Sequence, residues 1–154
     1  MGLVDELRGS KICIDTAPFI YFIEKNPKYL GMLRPVFAEI NAGKIDALTS
    51  TITLLEVLVL PFKTKNEPLA EKYRDILLHA EGLTTFEIFH DVSELSSKLR
   101  AKYLIRTPDA IQMAVGIIYG ADAFLTNDSS LKKVNDIRVV ILEDFLEKKQ
   151  NHAS

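Results

Sequence analysis

The stretch RTPDAIQMAVGIIYGADAFLTNDSSLKKV, residues 106–134, reads as a helix, a strand and a polar turn in direct succession. Thr107-Pro108 opens the helix, Ile111, Ala114, Val115 and Ile118 recur on one face of it, and Gly120 is placed to end it. Gly116 and Gly120, four apart, suit close helix packing. The apolar run Ala123 to Thr126 is a short buried strand, and Asn127-Asp128-Ser129-Ser130 carries the chain towards the next helical segment.

Working outward, four further β-like runs appear at Lys11 to Ile14, Ile45 to Thr49, Thr85 to Phe89 and Arg138 to Leu142, with helical periodicity between them. Leu33, Val36, Phe37 and Ile40 share a face, with Pro35 expected to start or kink that helix. Asn66 can cap a helix with Pro68 in its first turn and Leu69, Tyr73, Ile76, Leu77 and Ala80 on its apolar side. Asp91 with Glu94 reads as a capping-box variant ahead of Leu95, Leu99 and Tyr103. Strands alternating with helices of this length imply βαβ crossovers, hence one α/β domain with a mainly parallel sheet of about five strands flanked by helices. The boundaries expected are an N-terminal extension over 1–10, frayed before about Ser10, the domain over 11–146, and a polar tail over 147–154.

With 154 residues, 47% hydrophobic and 26% charged, the chain has the size and core of one globular domain. Nineteen basic against 21 acidic residues give −2, without a basic arm. The single cysteine, Cys13, lies inside a strand and reads as core. The first eleven residues lack a signal-peptide core and no run approaches the ~18 apolar residues of a membrane span, so a cytoplasmic location is expected. Neither GxGxxG nor GxxxxGK[ST] occurs, no serine sits in a GxSxG elbow, and His79, His90 and His152 lack metal-ligand spacing.

Carboxylates remain. Asp15 follows the first strand, where α/β folds bind ligands, although capping the next helix would suit it as well. Glu56 lies in LLEVLVL, with Ile52, Thr53, Val59 and Leu60 as its helical neighbours and no Lys or Arg within a turn. A carboxylate among such neighbours needs water, a partner charge or a metal. Asp109 falls in a first helical turn, where it also complements the helix dipole, and Asp128 sits at a strand-to-helix edge that a turn role would equally explain. If the four gather within ~5 Å they raise one another's pKa values and persist only beside a cation. Oxygen-only ligands select Mg2+ or Mn2+, which suit phosphodiester hydrolysis.

The segments ICIDTAPFIYFIE, TITLLEVLVLPF and RTPDAIQMAVGIIYGADAFLTNDSSLKKV, in that order, resemble a PIN domain, the fold of VapC-type ribonuclease toxins and related nucleases. The resemblance spans about residues 11 to 142 and implies an acidic Mg2+ or Mn2+ pocket on a parallel sheet. It assigns Asp15, Glu56, Asp109 and Asp128 as catalytic and metal-binding acids, with Thr126 and Thr16 in support. Members of this kind cut RNA and some related nucleases act on DNA, so the resemblance leaves the choice between an RNA substrate and DNA open; it also implies an antitoxin and a homodimer, with Phe19, Tyr21, Phe22 and Phe62 as candidates for apolar contact or for the core. Lys63, Lys65, Arg106, Lys132 and Lys133 are candidate phosphate contacts.

The expected function is thus a Mg2+-dependent endoribonuclease, the toxin of a toxin–antitoxin pair. A PIN-fold binding module in RNA processing, without cleavage of its own, is the alternative. A phosphatase using Asp15 as nucleophile would want a second Asp two residues on, where Ala17 stands. Setting the four acids aside leaves 17 acids against 19 bases, so near-neutrality conceals an acidic pocket in a mildly basic surface.

Overall fold

The structure is a computed structural model that describes residues 2–146. Its elements, in chain order, are α1 (Leu3–Leu7), β1 (Lys11–Ile14), α2 (Thr16–Ile23), α3 (Leu30–Asn41), β2 (Asp46–Ser50), α4 (Thr51–Lys63), α5 (Glu67–His79), β3 (Leu83–Phe86), α6 (His90–Tyr103), α7 (Thr107–Ile118), β4 (Ala123–Thr126), a 3-10 helix over Ser129–Lys133 and β5 (Arg138–Ile141). The expected tail over 147–154, and His152 with it, lies outside the described residues.

All five strands are parallel and lie in the order β3-β2-β1-β4-β5. Alternation along the central strands divides the interior in two. Ile12, Ile14, Ala47, Ala123 and Leu125 face a core shared with Leu33 and Phe37 of α3, Val57 of α4 and Tyr73 and Leu77 of α5. Cys13, Leu48 and Phe124 face the opposite core, with Val92 and Leu99 of α6 and Ala110, Met113 and Ala114 of α7. Both faces of a parallel sheet must be covered in this way, because crossover helices land on each. Cys13 is fully buried, and burial pushes its thiol well above the usual range, so it is core as expected.

Asn66 caps α5 by accepting from the Leu69 N–H, and Pro35 is accommodated inside α3. At the end of α7, Gly120 (φ 80°) donates to Ile117 O and Ala121 to Gly116 O, the paired bonds of a Schellman ending. The two glycines differ in purpose. A Cβ on Gly116 would lie 2.9 Å from Cys13 Cβ, so α7 sits on β1 only because that atom is missing, whereas Gly120 has open space and serves by its left-handed φ.

Several local expectations need correction. β3 lies at Leu83–Phe86, ahead of the expected Thr85 to Phe89, because α6 already starts at His90 and Phe89 is its N-cap residue. Asp91 is therefore inside the first turn, where it accepts from the Val92 N–H, and the capping box with Glu94 does not form. β2 is shifted by one residue, and Leu142 leaves β5 for helical backbone. The N-terminal segment is not frayed: Leu3 and Leu7, one turn apart, are both buried in the first core, which anchors α1.

Candidate active site

In the strand order 3-2-1-4-5 the chain departs from β1 in opposite directions, and the crevice this opens lies at the carboxyl ends of β1 and β4. Asp15 follows β1 directly. Its N–H still pairs with Leu125 O (2.9 Å), so the sheet ladder sets its backbone before α2 begins. Asp128 follows β4, Asp109 is in the first turn of α7, and Glu56 is in the second turn of α4. A cavity of about 270 Å3 at this rim is lined by all four acids, with Thr16, Tyr21, Arg106, Thr126 and Asn127 among its other walls.

Each acid is engaged by its own donors. Asp15 caps α2 through the Thr16 N–H on Oδ1 (2.8 Å), and the Thr126 hydroxyl donates to its Oδ2 (2.8 Å). Capping and site placement, open alternatives in the sequence, coexist in one side chain. Thr16 Oγ1 donates to Glu56 Oε1 (2.6 Å), and Arg106 Nε donates to Asp109 Oδ2 (3.1 Å). Asp128 Oδ1 accepts from the Ser130 N–H (3.0 Å) and hydroxyl (2.7 Å).

Burial pushes Asp15 up to about 6, opposed by the Thr126 and Thr16 hydrogen bonds and reinforced by the negative charges of Asp109 and Glu56. The Arg106 guanidinium is held in its charged form chiefly by Asp109, with Asp128 and Glu56 adding to it. Among the described residues that line the cavity, four carboxylates thus face a single cation, Arg106.

Two expectations change here. Among the described residues no three His, Cys, Asp or Glu side chains converge as a ready-made ligand set, so the four acids share a cavity without forming the close cluster expected of them. Glu56 is also exposed rather than enclosed by its apolar neighbours, since Leu55, Val59 and Leu60 are themselves exposed. The donor set of carboxylates and hydroxyls still fits a hard cation. Mg2+ keeps several waters and takes only one or two carboxylates directly, which this spacing allows.

Of the candidate phosphate contacts, Arg106 lines the cavity. Lys132 pairs with Asp144 (2.9 Å), and Lys63, Lys65 and Lys133 are exposed without lining it. Among the apolar contact candidates Phe19 is fully buried, which commits it to the core, while Phe62 is exposed.

A family profile described as the PIN domain matches residues 12–137. The chain belongs to the PIN domain family. Solved structures share the fold at low identity. VapBC2 from Rickettsia felis, bound to a promoter DNA fragment, is 19% identical with a TM-score of 0.67, over 85% of this chain and 98% of that one. A toxin–antitoxin complex from Klebsiella pneumoniae is 20% identical (TM-score 0.63, 86% and 98%). Mycobacterium tuberculosis VapC20, a toxin that cleaves the sarcin–ricin loop, is 16% identical (TM-score 0.65, 84% and 99%). The sequence matches none of the curated proteins compared with it.

Beneath the acids of this PIN domain lies a buried polar layer that the sequence reading missed: Thr49, Ser50, Thr53 and Gln112. Its signal was present as the polar run Thr49-Ser50-Thr51 and Thr53 at a strand-to-helix junction, and as a Gln three residues after Asp109 on an apolar helix.

Proposed function

We propose that this PIN domain is a Mg2+- or Mn2+-dependent endoribonuclease and the toxin of a toxin–antitoxin pair. The observation that carries the reading is the placement of Asp15, Glu56, Asp109 and Asp128 around one cavity at the carboxyl rim of the sheet. The toxin complexes and the sarcin–ricin loop cleaving toxin that share the fold support it.

Asp15, Glu56, Asp109 and Asp128 would hold the cation, directly or through water. Bound there, it would activate water and shield charge that builds on the phosphate. The chain's own residues supply the rest. Thr126 and the Thr16 N–H fix both oxygens of Asp15, the α7 amino end sets Asp109, and exposed Arg106, paired with Asp109, would contact a phosphate at the cavity mouth. An RNA strand, a small antitoxin and a second copy of the chain are the partners this implies, in the cytoplasm. Among the described residues no helix is long and apolar enough to cross a membrane.

The test is Asp15→Asn and Asp109→Asn, each assayed on pooled RNA with Mg2+ or Mn2+. Both should lose more than the about 10–100-fold that removing an outer partner of a metal ligand costs, with folding intact by circular dichroism. Undiminished cleavage by either would refute the site. A folded wild type that binds Mn2+ in calorimetry but cuts no RNA would favour the non-cleaving PIN module.

A further inference from the structure

Under the cavity floor, the hydrogens of the polar layer can be assigned by elimination. Thr49 Oγ1 donates to Ile14 O (2.8 Å), so in the Thr49–Thr53 pair (2.8 Å) Thr53 is the donor. Thr53 Oγ1 therefore accepts from Gln112 Nε2. Thr16 spends its one hydrogen on Glu56, so at 3.4 Å it too accepts from Gln112 Nε2. Ser50 Oγ accepts from the Ile52 N–H (3.2 Å) and donates to Gln112 Oε1 (2.5 Å). A flipped amide would turn its oxygen towards two hydroxyls with no hydrogen left to give. The chain of donors thus runs one way, from Ser50 into the Gln112 amide and out through Thr16 to the Glu56 carboxylate.

Gln112 is 1% exposed and lies three residues beyond Asp109, on the same side of α7. It touches α4 at Thr53 and α2 at Thr16, so one amide joins the helix that carries Asp109 to the residues that orient Glu56. Burying an amide with all three of these bonds satisfied has no packing rationale that Met or Leu would not meet as well.

We propose that Gln112 is a positioning residue that fixes the Glu56 carboxylate relative to Asp109 through Thr16. Its consequence for cation binding rests on the metal-dependent reading above. Glu56 stands on an exposed helical face and, among the described residues, accepts its hydrogen bond from the Thr16 hydroxyl, while Arg106 acts on it only through longer-range attraction, so Thr16 is what orients it.

The proposal is tested in two arms on the full chain. In 15N NMR the Gln112 side-chain amide pair is assigned by its loss in Gln112→Met. Glu56→Ala, which does not touch Gln112, should shift that pair by removing the acceptor at the end of the chain; an unmoved pair overturns the proposal. In Mn2+ calorimetry Gln112→Met should weaken binding about 10-fold, and by nothing further in a Glu56→Ala background. An equal loss in both backgrounds overturns it. If Gln112→Met does not fold, Thr16→Val cuts the same link from outside the core and should show the same loss, with Thr16→Ser restoring affinity; failure of Ser to restore it also overturns the proposal. A wild type that binds no Mn2+ defeats the metal-dependent reading alone, and the NMR arm still decides the positioning role.

Discussion

Ionising Asp15 works against folding, and the effect has a defined pH window. Its carboxyl titrates near 6 in the folded chain against an ordinary 3.8, so between those values the folded state binds more protons and stability falls as pH rises. Above about pH 6 the penalty is complete, on the order of 1–3 kcal/mol. Asp15→Asn, which keeps an oxygen for the Thr16 N–H, should melt higher than wild type by roughly 2–10 °C at pH 7.5 in chelator, and should show no gain at pH 4. Equal melting temperatures at pH 7.5 would mean that Asp15 is not destabilised by its surroundings. Asp15, Asp109 and Asp128 were legible as candidates that share one cavity because each stands at a strand end or helix start, a place the sequence marks with Thr, Pro or Ser. The environment of Glu56 was not legible. Its apolar neighbours in sequence read as enclosure, and only the packing of α4 shows that Leu55, Val59 and Leu60 face outward with it. Gln112 was missed for the converse reason: a lone amide on an apolar helix gives no sign of the three hydroxyls that three other segments bring to it.

Among the elements, α7 links core and site, and its seat on β1 depends on Gly116. Gly116→Ala puts a methyl 2.9 Å from Cys13 Cβ and 3.3 Å from Ile137 Cδ1, and neither the strand nor the helix can yield cheaply. The expected loss is about 1–3 kcal/mol in urea unfolding. A change within about 0.5 kcal/mol would show that the two elements slide apart freely. The α1 helix gives a second test at this scale. Leu7 is fully buried, so Leu7→Ala should lose about 2–5 kcal/mol by the same measurement, whereas a frayed N-terminus would lose almost nothing. Periodicity revealed α5 and α7, which run for three turns or more. It did not reveal α1, whose five residues offer a single i, i+4 pair, nor the start of α6, where a helix begins without a side-chain cap.

For the whole molecule, alternation of strands and helices was enough to indicate a parallel sheet covered on both faces, but not the order of its strands. Order depends on which side of β1 each crossover lands, a matter of long-range packing between helices distant in sequence. Yet the order is what makes the site: with β1 and β4 adjacent, Asp15 and Thr126 meet across a crevice that no local pattern encodes. The net charge of −2 takes on a meaning at this scale too, since the four acids of the cavity outweigh the excess of the remaining chain. A molecule so arranged should need a cation to bring a phosphodiester near those acids. Incubating the purified wild-type chain with pooled RNA, with Mg2+ or with excess chelator, tests this most directly. Internal cleavage is expected with Mg2+, with its loss in chelator and its return when Mg2+ or Mn2+ is added back; cleavage that persists undiminished in chelator would rule out a metal-dependent site.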